Sequence, residues 1–87
     1  MDNNELLNLA CLRAVWEVAR AGSVSRAAAA LFRAQSAVTR AVQETEAALG
    51  ALMFDRKPTG MLPTPVGRTV LERSERIFDE LGDLAPW

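Results

Sequence analysis

Apolar residues recur along this chain at helical spacings, with one interruption where two short apolar runs flank a turn. Leu6, Leu9, Leu12, Val15, Trp16 and Ala19 repeat at three and four, marking one buried stripe on a helix over about residues 4–21. Gly22 ends that helix as a C-terminal cap. Ser23 and Ser25 then offer hydroxyls to the open amides of a second helix, over about residues 26–32. Its Ala27, Ala28 and Leu31 suit close packing against the first helix. No Gly or Pro marks the next boundary, so propensity alone joins this helix to its successor. The break shows in the apolar phase, because Ala27, Ala28 and Leu31 do not continue in register into Val38, Val42, Thr45 and Leu49.

Those four residues, spaced four, three and four, predict a third helix over about residues 36–49 that stops at Gly50. Ser36, Thr39, Arg40 and Gln43 lie on its opposite side, since i, i+3, i+4 and i+7 share a face. Glu44 and Glu46 come late, so its first turns combine donors, one arginine and the positive end of the helix dipole. A short helix, a tight break and a helix with such a face form the simplest device for placing polar side chains in the major groove of DNA. Taken alone, an ordinary amphipathic helix with a solvated face is the better account of the same residues.

The flanks decide between them. Leu52, Met53 and Phe54 lead into Asp55, Arg56, Lys57, Pro58, Thr59 and Gly60, followed by Met61 and Leu62. Pro-Thr-Gly between two extended runs reads as a hairpin tip, with Arg56 and Lys57 on the first arm. A basic hairpin over about residues 53–63, behind a helix-turn-helix, is a wing suited to the phosphate backbone or a neighbouring minor groove. Thr64-Pro65 then starts a helix, Thr as N-cap and Pro at the first helical position, running to about Leu81. Val70, Ser74, Ile77, Leu81 and Leu84 repeat four, three, four and three, the seam of a coiled-coil-like contact with a twin chain. Leu71 and Phe78 sit beside that seam, placed to dock on the domain's own core.

Composition narrows the classes. Eighty-seven residues suffice for one domain with a thin core, and much of the 49% hydrophobic content is alanine. The chain has no histidine, which removes the usual general base and the commonest nitrogen ligand of zinc, so neither an enzyme nor a metal or cofactor site is expected. The single Cys11 cannot form an internal disulfide and reads as a small buried hydrophobe. No apolar run has membrane-spanning length and the N-terminus lacks a basic start, so a cytoplasmic protein is the default. Net charge is −1, yet it is unevenly spread. Residues 20–68 carry seven cations against three acids, a net +4, and the remainder carries three arginines against eight acids, a net −5. One end is basic and the other acidic, so one face can meet phosphate while the other turns away.

The order of helix, GSVSRAAAAL, AQSAVTRAVQETEAALG, LMFDR, a Gly-containing tip, PTPVG and helix resembles the N-terminal winged helix-turn-helix domain of LysR-type transcriptional regulators. Gly22-Ser23, Ala27-Ala28, Leu31, Gln35, Ala37, Leu49-Gly50, Phe54, Arg56, Thr64 and Gly67 fall at the family's spacing, and the resemblance covers about residues 9–81. It implies a mainly α fold: a winged helix-turn-helix domain over residues 1–64, with the helix-turn-helix at about 23–42, then a linker helix over 65–87. By position, Gln35, Ser36, Thr39 and Arg40 match the groove contacts of the recognition helix. Ser25, Arg26, Arg33, Gln43, Arg56 and Lys57 match or adjoin the backbone and wing contacts. The implied partner is double-stranded DNA, bound by a homodimer through the linker helix, with a tetramer as the higher assembly of a full-length form. In complete members that helix leads to an effector-sensing domain, so a small-molecule inducer is implied only for a parent protein that has one.

Three departures stand out. Arg33 and Ala34 fill the turn where the family commonly has an apolar residue and a Ser, which removes a core contact and the recognition-helix cap. Arg33 is then expected to lay its stem on the core and send its charge to a phosphate. Pro63 replaces a common Leu in the second wing arm and removes one ladder donor, which predicts a short or irregular wing. Ala29 and Ala30 occupy positions that are usually polar. The overall reading is a dimeric, sequence-specific DNA-binding domain. The alternative is a winged-helix interaction or dimerisation module without DNA binding.

Overall fold

Asn8 sets the start of the first helix: its backbone is extended and its side chain accepts the Cys11 amide at 2.9 Å. A computed structural model describes residues 8–84, and within it the order is α1 (Leu9–Ala21), α2 (Val24–Leu31), α3 (Gln35–Leu49), β1 (Phe54–Lys57), β2 (Gly60–Pro63) and α4 (Pro65–Leu84). The part of the first predicted helix before Asn8, including Leu6, lies outside the described residues. Gly22 caps α1 and Gly50 caps α3 in the left-handed conformation, as their positions implied.

The buried stripe of α1 differs in phase from the one expected. Leu9 is 47% exposed, whereas Cys11, Leu12, Ala14, Val15, Glu17 and Val18 are buried. The helix is wedged between α2 and α3, and small Cys11 and Ala14 admit Ala41 of α3 and Leu31 of α2. Close approach of small side chains therefore outweighs the larger Leu9. Glu17 is tolerated inside because Arg20 reaches it at 3.6 Å.

The second helix begins two residues earlier than its pattern suggested, with Ser23 as its cap. The Ser23 hydroxyl accepts the Arg26 amide at 3.2 Å, while Ser25 lies exposed inside the first turn. Its end explains why no glycine announced it. Phe32 itself adopts the left-handed conformation, φ 55° and ψ 43°, and the Arg33 amide returns to the Ala28 carbonyl at 2.9 Å. That is the capping geometry in which glycine normally serves.

The main core joins Val15 and Val18 of α1, Ala27 and Ala28 of α2, and Val38 and Val42 of α3 with Met53 and Phe54. Thr45 is fully buried because its hydroxyl donates to the Ala41 carbonyl at 2.8 Å, whereas Leu49, expected on the same stripe, is 37% exposed at the helix end. The hairpin pairs Phe54 with Pro63 and Lys57 with Gly60, leaving Pro58 and Thr59 at the tip. Pro63 falls on the last pair, so its missing donor shortens the ladder without distorting its middle. The wing docks on the α1–α2 turn: the Met61 amide donates to the Gly22 carbonyl at 3.1 Å. A Cβ on Gly60, at φ 134°, would lie 2.8 Å from that same oxygen.

Thr64 caps α4 as expected, accepting the Gly67 amide at 3.0 Å, and its hydroxyl donates to the Leu52 carbonyl at 2.6 Å. Val70 and Leu71 pack against the main core, and Ser74 is 1% exposed, with its hydroxyl donating to the Val70 carbonyl at 2.7 Å. This corrects the seam drawn from spacing alone. Ser74 and, in part, Val70 serve the domain's own interior, while Ile77 and Leu81 stay exposed at 39% and 40%, as does Val66 at 42%. The side chain of Leu84 lies outside the described residues.

Candidate nucleic-acid interface

The recognition face is built on α3, whose inner side is fixed by Val38, Ala41, Val42 and Thr45. Burying those four turns Ser36, Arg40 and Gln43 fully outward, with Gln35 exposed at the first helical position and Thr39 half-buried between. Ala34 opens the helix with φ −69° and ψ 146°, an N-cap backbone, but no side chain caps it. The sequence-based expectation of a missing cap is met. The positive end of the helix is left facing outward beside Gln35 and Ser36.

Hollows flank this ridge on both sides. On the wing side, Gln35 and Thr39 of α3 face Arg56 and Lys57 of β1 across a hollow of about 360 Å³ whose third wall is Gly22-Ser23-Val24. On the opposite side, Arg33, Ser36, Arg40 and Gln43 line a hollow of about 750 Å³ that reaches Asn8, Cys11 and Glu44. The structure thus brings Gln35 and Thr39 together with the wing on one side, and Ser36 and Arg40 together with the turn arginine on the other. Ser25 and Arg26 line neither hollow and stand exposed on the first turn of α2.

Among the described residues, the cations of this surface form no ion pair. Among the described residues the one ion pair is Arg20–Glu17, so Arg26, Arg33, Arg40, Arg56, Lys57 and Arg68 all lack a carboxylate within ion-pair distance. Arg33 is exposed. Cys11 is buried beneath the larger hollow, with its thiol donating to Glu44 at 3.5 Å. Burial first, then that hydrogen bond and the negative charge of Glu44, push its pKa above the usual thiol value, which suits an inert core group.

Two features escaped the pattern. Phe32 is 96% exposed beside Arg33, although a bulky aromatic with positive φ is costly. The available signal was its position one residue past the last in-phase apolar residue, Leu31. Glu44, read as a late acid remote from the helix start, turns inward to Cys11. Only the packing of α1 on α3 could reveal that contact. Among the described residues no group of His, Cys, Asp and Glu converges as metal ligands, and no helix is long and apolar enough to cross a membrane.

Residues 9–68 match the family model described as bacterial regulatory helix-turn-helix protein, lysR family. The chain is 49% identical over 81 residues to the HTH-type transcriptional regulator GalR of Pseudomonas putida, covering 93% of this chain and 20% of that protein. It is 42% identical over 73 residues to the small neutral protease regulatory protein of Streptomyces coelicolor, covering 84% of this chain and 22% of the relative. The chain therefore spans about a fifth of the length of these relatives. Among solved structures, the DNA complex of the CbnR DNA-binding domain superposes with a TM-score of 0.85 at 31% identity, over 92% of both chains. With its helix-turn-helix, its docked wing and its long C-terminal helix, the chain belongs to the lysR family of bacterial regulatory helix-turn-helix proteins.

Proposed function

We propose that this chain binds duplex DNA sequence-specifically as a homodimer, inserting α3 into a major groove and tracking the phosphate backbone with its wing. The observation that carries the reading is the hollow in which Gln35 and Thr39 face Arg56 and Lys57, one pair suited to base edges and the other to phosphates. Arg40 is the candidate for a guanine edge, and Gln35 for an adenine edge or a phosphate. Ser36 and Thr39 contact bases or thymine methyls. Arg33, Gln43, Ser25 and Arg26 lie within reach of the flanking backbone. Dimerisation runs through the exposed Ile77 and Leu81 of α4. The relatives in which this domain is about a fifth of the length support a role as the DNA-binding part of a cytoplasmic transcriptional regulator. Any inducer, and any tetramer, belongs to the remainder of such a protein.

The test compares Arg40→Ala and Lys57→Ala on a duplex selected from random sequence and on unselected duplex, across a salt titration. Arg40→Ala is expected to weaken the selected site by 1–3 kcal/mol, about the value of one bidentate base contact, and leave random DNA nearly unchanged. Lys57→Ala weakens both alike and reduces the salt slope by about one. Wild-type binding that is absent, or insensitive to salt, would favour the interaction module without DNA binding.

A further inference from the structure

The first helix and the linker helix are joined by a contact that the DNA-reading surface does not use. The Arg13 guanidinium lies 5.4 Å from the centroid of the Trp16 ring on its own helix and 5.3 Å from that of Phe78 on α4. A cation between two aromatic rings is held by both quadrupoles. Among the described residues no carboxylate lies within ion-pair distance of Arg13. Up to Ser74, α4 is tied to the domain by the Thr64 cap, by Val70 and Leu71, and by the buried Ser74 itself. Beyond Ser74 the described side chains are exposed except for Phe78, which is half-buried. Arg13 therefore clamps the distal part of α4 at its last point of attachment.

We propose that Arg13 is a positioning residue that sets the angle at which α4 leaves the domain, and through it the spacing between the two DNA-reading heads of a dimer. The inference rests on the dimer reading given above. Leverage makes the clamp matter. The ten helical steps from Ser74 to Leu84 span about 15 Å, so a tilt of about 10° there moves the distal end by roughly 2–3 Å. The same tilt occurs in both copies, and the two displacements together exceed the roughly 3.4 Å rise of one base pair. A clamp of this kind changes which spacer between half-sites is preferred without touching a base or a phosphate.

The experiment uses the full chain and half-sites selected by the wild type from random duplex. Binding of wild type, Arg13→Ala, Arg13→Lys and Phe78→Leu is measured on a duplex with one half-site and on duplexes with two, the spacer varied one base pair at a time. Sedimentation gives the oligomeric state, and circular dichroism checks folding. Wild type is expected to prefer one spacer by about tenfold. Arg13→Ala and Phe78→Leu should flatten that preference to threefold or less while keeping single half-site affinity within twofold. Arg13→Lys, which keeps a cation over the rings, should retain most of it. An Arg13→Ala variant with an unchanged spacer preference overturns the positioning role, as does one that loses single half-site affinity to the same extent. A wild type that binds one half-site but sediments as a monomer, with no spacer preference, overturns the dimer reading and the clamp's role with it.

Discussion

Replacing Ala34 by Ser should stabilise the domain. Ala34 already has the extended backbone of an N-cap, φ −69° and ψ 146°, and its side chain is exposed, so the added hydroxyl displaces no packing. The Ala37 and Val38 amides both turn to the single carbonyl of Ala34, at 3.1 and 3.3 Å. A Ser hydroxyl would accept from the amide of Ser36 or Ala37 and relieve this crowding at the open end of α3. The gain for Ala to Ser at such a site is about 1 kcal/mol. Unfolding entropy of about 2.1 cal/mol/K per residue, taken over the chain, converts this to a rise in Tm of roughly 5–6 °C. Thermal melts of wild type, Ala34→Ser and Ala34→Val at one fixed concentration supply the measurement, since dimerisation would make Tm concentration-dependent. Val has no acceptor and loses helix-flanking freedom, so it should not raise Tm. A Ser variant that melts at or below wild type, or a Val variant that gains as much, refutes the capping argument.

Two further outcomes follow from single residues. Phe32→Gly should raise the urea midpoint slightly, by about 0.5 kcal/mol of stability, because relief of the left-handed strain exceeds the entropy cost of glycine in the unfolded chain; Phe32→Val, β-branched at positive φ, should lower it. Cys11 should make stability fall at alkaline pH. Its folded pKa is raised, so the neutral thiol's contribution is complete below the unfolded pKa and is lost as pH climbs through the folded value. Urea midpoints of wild type should therefore drop from about pH 9 upward by more than those of Cys11→Ala, and parallel pH profiles would refute this.

Local chemistry made much of the fold legible. The Thr64-Pro65 start and the Gly22 and Gly50 ends each depend on residues within one turn and appear where the spacing put them, and the tip expected at Pro-Thr-Gly narrows to Pro58 and Thr59, with Gly60 paired to Lys57. The polar ridge of Ser36, Arg40 and Gln43 followed equally from period alone. The α2–α3 break was visible only as a change of apolar phase, because a phenylalanine holds the conformation that glycine would have announced.

Local spacing set the elements, the Gly22, Gly50 and Thr64 caps and the outward face of the recognition helix, since those depend on neighbours three or four positions apart. Long-range packing settled the rest. It chose Cys11 and Ala14 over Leu9 as the buried side of α1, because three helices meeting closely favour small residues. It turned Ser74 inward and left Ile77 and Leu81 outside, because the first turns of α4 are pinned to Leu52 and Met53 before its periodicity can choose a side. It also set Arg56 and Lys57 opposite Gln35 and Thr39, through a Met61–Gly22 hydrogen bond and a glycine at 60 that lets the wing approach. Those partners lie tens of residues apart, and only the closed chain brings them within reach of one another.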